Sequence, residues 1–223
     1  MKTLVNHLAF RHTYQGLFLL LMIAIPNLAL GMTTSYNNQT GLTFTSLESW
    51  GIIAVNLIIF YITYLWAKNE GLLTHFRLDR KDTKAILWGF VLIFLMGVIG
   101  SNLMLLTHTN YHAELQRTLT TTSILPVAIS VMTTTFLQEL LFRKLVCSWL
   151  APYSIVTALV STSLFFLFHM PTNLAHLFLY IGMGLALSMV YQKRENLSAT
   201  ISLHILWNIF TLGATILVMT NPM

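Results

Sequence analysis

Seven apolar runs, each close to the length that crosses a bilayer, leave this chain few folds other than a bundle of membrane helices. A spanning helix needs about 20 predominantly apolar residues, because the hydrocarbon core is about 30 Å thick and each helical residue rises 1.5 Å. Such runs lie at roughly 15–32, 49–67, 85–106, 122–147, 153–169, 173–192 and 197–219. Charged residues make up only 9% of the 223, against about 25% in a soluble domain, and the mean hydropathy is +0.71. That surface is too poor in charge to be kept in water. The expected fold is therefore all-α: a polytopic membrane helix bundle of about seven transmembrane helices, forming a single integral membrane domain over residues 1–223. The first run starts too far along the chain, and its cleavage-like pair Ala29 and Gly31 is too weak, for it to be read as a signal peptide.

The net charge of +5 would suggest nucleic acid in a soluble protein. Here the basic residues sit in short segments between apolar runs, so no nucleic-acid partner is expected and the partner surface is the lipid bilayer. Lys2 and Arg11 precede the first run; Lys68, Arg77, Arg80, Lys81 and Lys84 follow the second; Lys193 and Arg194 follow the sixth. The alternate segments are nearly bare, with none at 33–48 and only Arg117 at 107–121. Seven spans with a cytoplasmic N-terminus place every basic segment inside, which predicts a multi-pass protein of the cell membrane. Segment 68–84 is read as a solvated loop that fixes topology, with an amphipathic surface helix as the alternative. The lone cysteine, Cys147, excludes an intrachain disulfide and reads as a small apolar helix residue.

An ionisable side chain inside a spanning helix costs about 2.5–3.5 kcal/mol on insertion scales, so each one calls for a reason. Glu48, Glu70, Asp79, Asp82, Glu114 and Glu195 lie in loops or at helix edges, but Glu139 sits within Phe136-Leu137-Gln138-Glu139-Leu140-Leu141-Phe142-Arg143. Arg143 is one turn later on the same face, and pairing is the least costly way to bury either charge. Taken alone, such a pair reads either as a brace that only holds helices together or as part of a site. Three further polar residues change the weighing: His169 at the end of a Phe-rich run, and His204 with Asn208 on one face of the last run. Polar groups avoid lipid and turn inward, so all of these are expected to converge. Gln138 lies 14 residues before Pro152 and His169 17 after it, so a hairpin there sets them at similar depth. His204 is only about ten residues past the basic pair at 193–194 and needs a tilt or kink to reach that depth. His7, His12, His75, His108, His112 and His176 read as solvent-facing or incidental.

The order Gln138-Glu139-x-x-x-Arg143, Phe165-x-x-x-His169, His204-x-x-x-Asn208 resembles the CPBP (Abi) family, the CAAX proteases and bacteriocin-processing proteins. The stretch Gly182 to Asn208 also looks like that family's approach to its last motif, and the resemblance covers about residues 122–212. It implies an intramembrane endopeptidase acting on membrane-associated peptides or proteins, in bacteriocin maturation, immunity or CAAX-type processing. It implies catalytic roles for Glu139, His169, His204 and Asn208, with Gln138 and Arg143 in support. His169 helps activate water, His204 and Asn208 stabilise the oxyanion, and Glu139 with Arg143 braces the site.

The family's first motif opens with two glutamates, and here the first is Gln138. A neutral amide orients water but cannot take its proton. Either His169 alone serves as base, since histidine titrates near neutrality, or local unwinding brings Glu139 into the site. The alternative is a catalytically impaired pseudoprotease of the same fold, acting as an immunity or regulatory scaffold in the membrane. No cofactor is assigned; a zinc ion, if one binds, would take His169 and His204. A transporter is disfavoured because the sequence shows neither an internal repeat nor a pair of broken helices.

Overall fold

The computed structural model describes residues 2–73, 77–107, 119, 123–150, 154–171 and 173–220. Seven helices run through these residues: α1 (Lys2–Thr40), α2 (Ser46–Asn69), α3 (Arg80–Thr107), α4 (Ile124–Leu150), α5 (Ser154–Phe168), α6 (Leu174–Arg194) and α7 (Leu197–Thr220). All but α5 are long and apolar enough to cross a membrane. At 15 residues, α5 reaches about 22 Å, short of the hydrocarbon thickness. The seven apolar runs are thus six membrane-length helices and one shorter one packed against α4 and α6, an all-α polytopic bundle.

Two boundaries differ from those read in the sequence. The first helix continues past residue 32 to Thr40, because its polar residues find partners within the helix or the bundle. Thr33 and Thr40 donate their hydroxyls to the Ala29 and Tyr36 carbonyls, both at 2.9 Å, and Asn37 is buried. Segment 68–84 is neither one loop nor a separate surface helix. Its two ends belong to α2 and α3, and residues 74–76 lie outside the described set. The start of α3 is fixed by a reciprocal cap: Asp82 N–H donates to Asp79 Oδ1 at 2.6 Å and Asp79 N–H to Asp82 Oδ2 at 2.9 Å.

Two helices form the interior. In α4 67% and in α6 56% of the membrane-length window is buried, against 22–33% in α1, α2, α3 and α7. Helix α4 packs against α1, α2, α5 and α7, and α6 against α3, α5 and α7. Glycines let α6 come this close. A Cβ on Gly182 would lie 2.5 Å from Met96 Cβ of α3, and one on Gly184 2.9 Å from Thr162 Cγ2 of α5.

The ladder of α4 is interrupted at its centre. From Leu140 to Leu145 the helix is π-type, and Val146 N–H reaches back five residues to the Leu141 carbonyl. The loosened Phe142 carbonyl accepts the Ser161 hydroxyl of α5 at 2.8 Å, and Ser161 accepts from Ser188 of α6 at 3.2 Å. This buried chain ties the widened turn to both neighbours, and such turns recur at functional sites.

Candidate active site

The π segment begins one residue after Glu139, and the polar residues gather there. Glu139 and Arg143 are fully buried and His204 is 2% exposed. His204 Nδ1 lies 2.7 Å from Glu139 Oε1, and Arg143 Nε lies 3.5 Å from Glu139 Oε2. The guanidinium also donates from Nη2 to the Gly184 carbonyl at 3.3 Å and lies 4.5 Å over the Phe165 ring, so it is held by charge, hydrogen bond and π-face together.

One turn further along, Asn208 Nδ2 donates to Thr135 Oγ1 at 2.8 Å. Residues 139 with 204 and 135 with 208 are steps of four in opposite senses, so α4 and α7 run antiparallel in exact register. The depth problem posed by His204 is solved without a kink. Asn196, Leu197 and Ser198 are themselves buried, so α7 begins inside the protein rather than at the surface. Asn196 anchors that start by donating to Asp82 Oδ2 at 2.9 Å and to the Arg77 carbonyl at 2.8 Å.

His169 occupies the turn that ends α5, half-buried and followed by Met170 in the left-handed region at φ 43°. Its Nδ1 lies 2.8 Å from the Phe165 carbonyl. A carbonyl only accepts, so Nδ1 carries the proton and a neutral His169 presents a bare Nε2. The ring stacks on Tyr180 at 4.5 Å and meets Phe165 at a tilt at 4.3 Å. Phe165 is the hub of the site, since its ring also meets His204 at 5.8 Å. The structure thus gathers Glu139, Arg143, His169, His204 and Asn208 around Phe165 and the α4–α7 seam. Gln138 is buried on the adjacent position of α4 and, among the described residues, makes none of the contacts that knit the cluster.

Sequence reasoning missed several members. It tied Glu139 to Arg143, whereas its shortest bond goes to His204. It also passed over Thr135, Tyr180 and the Gly184 carbonyl. Thr135 was findable, standing one turn before Glu139 as Asn208 stands one turn after His204. Local rearrangement next to Glu139 is present as the π segment, yet the carboxylate stays sealed between His204 and Arg143. Nor is every other histidine incidental: His12 stacks on Trp149 at 5.3 Å, joining α1 to α4. His75, His108 and His112 lie outside the described residues.

Residues 120–210 match the model of the type II CAAX prenyl endopeptidase Rce1-like family. The CPBP resemblance read from the three motifs therefore holds. The matched segment carries all three motifs and spans α4 to α7, while α1 to α3 lie outside it. The chain is also 26% identical over 201 residues to the UPF0177 protein YvdC of Lactococcus lactis subsp. lactis (strain IL1403), covering 86% of this chain and 75% of the relative. No solved structure matches it.

Zinc does not fit the donors gathered here. A catalytic zinc takes three protein ligands. Glu139 is occupied by His204 Nδ1 and Arg143, which leaves two imidazole nitrogens, and no trio of His, Cys, Asp or Glu gathers among the described residues.

Proposed function

We propose that this protein is an intramembrane endopeptidase that cleaves membrane-associated peptides by a water attack in which His169 is the base. The observation that supports this most is that both histidines are pinned through Nδ1, His169 on a carbonyl and His204 on a carboxylate. Each then offers only Nε2 to a substrate. His169 Nε2 takes a proton from water as the oxygen attacks the scissile carbonyl. In the proposed step His204, held through Nδ1 by Glu139, acts as the imidazolium and donates Nε2–H to the oxyanion, and the second N–H of Asn208 donates from the neighbouring turn. The proton on His169 then passes to the leaving amine. Glu139 and Arg143 are positioning residues, the first holding the His204 ring and the second holding the carboxylate. The same proposal takes the N-terminus as cytoplasmic, on the distribution of Lys and Arg, and bacteriocin-type peptides, surface proteins or CAAX-type tails as the substrate class.

One observation favours a second reading, the pseudoprotease scaffold. Gln138 cannot act as base, and Glu139 is sealed from solvent. Terminus-selective mass spectrometry of membranes expressing wild type or His169→Ala separates the two. The endopeptidase produces new peptide termini that fall about 10²–10⁴-fold in the variant, and Gln138→Glu raises them. Identical termini at equal protein abundance, with biological activity surviving both His169→Ala and His204→Ala, would establish the scaffold instead.

A further inference from the structure

A cavity apart from the histidines opens between α3 and α6 at the end of the bundle where the basic residues lie. It is a groove of about 850 Å³ with two chemically distinct parts. Its mouth carries Lys81, Lys84 and Lys193, and its floor includes Trp88, Leu92 and Met189. Lys81 and Lys84 are three apart on α3 and share a face; Lys193 comes from the last turn of α6. All three are exposed, and none forms an ion pair among the described residues. The fourth cation at the mouth, Arg194, is already committed to Asp79 and Asp82 at 2.8 and 2.7 Å. Counting these four cations against the two aspartates leaves two positive charges in excess. Below them the wall turns apolar within two helical turns, and Trp88 and Met189 are 75% and 57% exposed.

We propose that this groove binds an anionic phospholipid, its phosphate held by Lys81, Lys84 and Lys193 and its acyl chains laid along Trp88, Leu92 and Met189. The charge at the mouth complements a headgroup of net negative charge, and the exposed indole sits where aromatic side chains meet the headgroup layer. A free phosphate would use the lysines and leave the apolar floor uncovered. A zwitterionic lipid would cover the floor and leave the excess charge unpaired. A lipid seated here also bridges α3 to α6, the helix whose Gly184 carbonyl holds Arg143.

Native mass spectrometry of the full chain in detergent tests the assignment, with phosphatidylglycerol, phosphatidylcholine and inorganic phosphate as probes. Wild type should retain phosphatidylglycerol over phosphatidylcholine by at least tenfold, even with excess inorganic phosphate. Each lysine neutralised to Gln should weaken retention roughly fivefold, and the triple variant on the order of a hundredfold. Lys68→Gln with Arg77→Gln, at the same end but outside the groove, should change nothing. Equal retention of the two lipids would overturn the proposal. So would a triple variant that binds like wild type while keeping its melting temperature. Complete displacement by phosphate would reduce the groove to an anion site without a lipid.

Discussion

Two clusters in which carboxylates meet an arginine lie at different depths, and the deeper one is the less well satisfied. At the α3–α6 end, Arg194 donates to Asp82 Oδ1 at 2.7 Å and to Asp79 Oδ2 at 2.8 Å. Asn196 gives its amide to Asp82 and to the Arg77 carbonyl, and accepts from Ser198 N–H at 3.0 Å. At the centre of α4, the Glu139–Arg143 approach is 3.5 Å. There Glu139 Oε2, Arg143 Nε and Arg143 Nη1 have no hydrogen-bond partner among the described residues. Burial makes an unpaired polar group more costly, so stability alone would order the two clusters the other way. The saturated cluster acts as a clamp on the start of α7. The strained balance of the inner cluster supports assigning chemistry to it.

The sharpest way to break this contrast is Glu139→Gln. It leaves Arg143 charged and fully buried beside a neutral amide, and losing one partner of a buried pair costs about 3–5 kcal/mol. The melting temperature in detergent should fall steeply and cleavage should vanish with it. Asp82→Asn is the control, because Arg194 keeps 21% of its side chain exposed and can turn to water. Equal losses in the two variants would mean that Glu139 and Arg143 do not carry a buried charge pair.

Asn196→Ala sharpens the same contrast from the other side. It deprives Asp82 Oδ2, the Arg77 carbonyl and Ser198 N–H of their shared partner, at about 1–3 kcal/mol. Because the turn it holds sets the start of α7 and not the chemistry at Glu139, the turnover number per folded molecule should stay unchanged. A selective fall in turnover at unchanged stability would show that the clamp is part of the active machinery.

How far the sequence reveals these clusters follows from the kind of signal each one leaves. Apolar length marks the membrane helices because hydrocarbon thickness sets a minimum run. It overrates α5, whose 15 residues are mostly apolar, with Ile155, Val156, Leu159, Leu164 and Leu167 exposed, yet reach only about 22 Å. Rarity of charge marks Glu139 and Arg143, and shared helical faces mark His204 with Asn208. The Glu139–His204 bond leaves no such mark. It depends on the antiparallel register of α4 and α7, set by contacts between distant parts of the chain. Nor does the π segment leave one, since Leu140 to Leu145 reads as ordinary apolar helix, and its carbonyl is rescued by a serine 19 residues away. The Asp79–Asp82 spacing shows a cap, but Arg194 and Asn196 are over a hundred residues distant.

A third carboxylate cluster extends the ranking by depth to its wettest member. Arg11 of α1 donates to Glu70 Oε2 at 2.9 Å, and Gln15 donates to the same oxygen at 2.8 Å. These donors, Arg11 foremost, hold the Glu70 carboxyl below the usual glutamate range. A carboxylate lowered on folding stabilises the protein above its unfolded pKa, about 4.3, and that contribution is lost as pH falls through the folded value. The Arg11 and Glu70 side chains are 53% and 25% exposed, so water and salt screen the pair and its worth is at most about 1 kcal/mol. The melting-temperature gap between wild type and Glu70→Gln should therefore be small and constant from neutral pH down to about 5. It should close below about 4 and shrink in high salt at neutral pH. A gap that persists in strong acid would mean that Glu70 joins α1 to α2 through packing, and the depth ranking would then apply only to the two inner clusters.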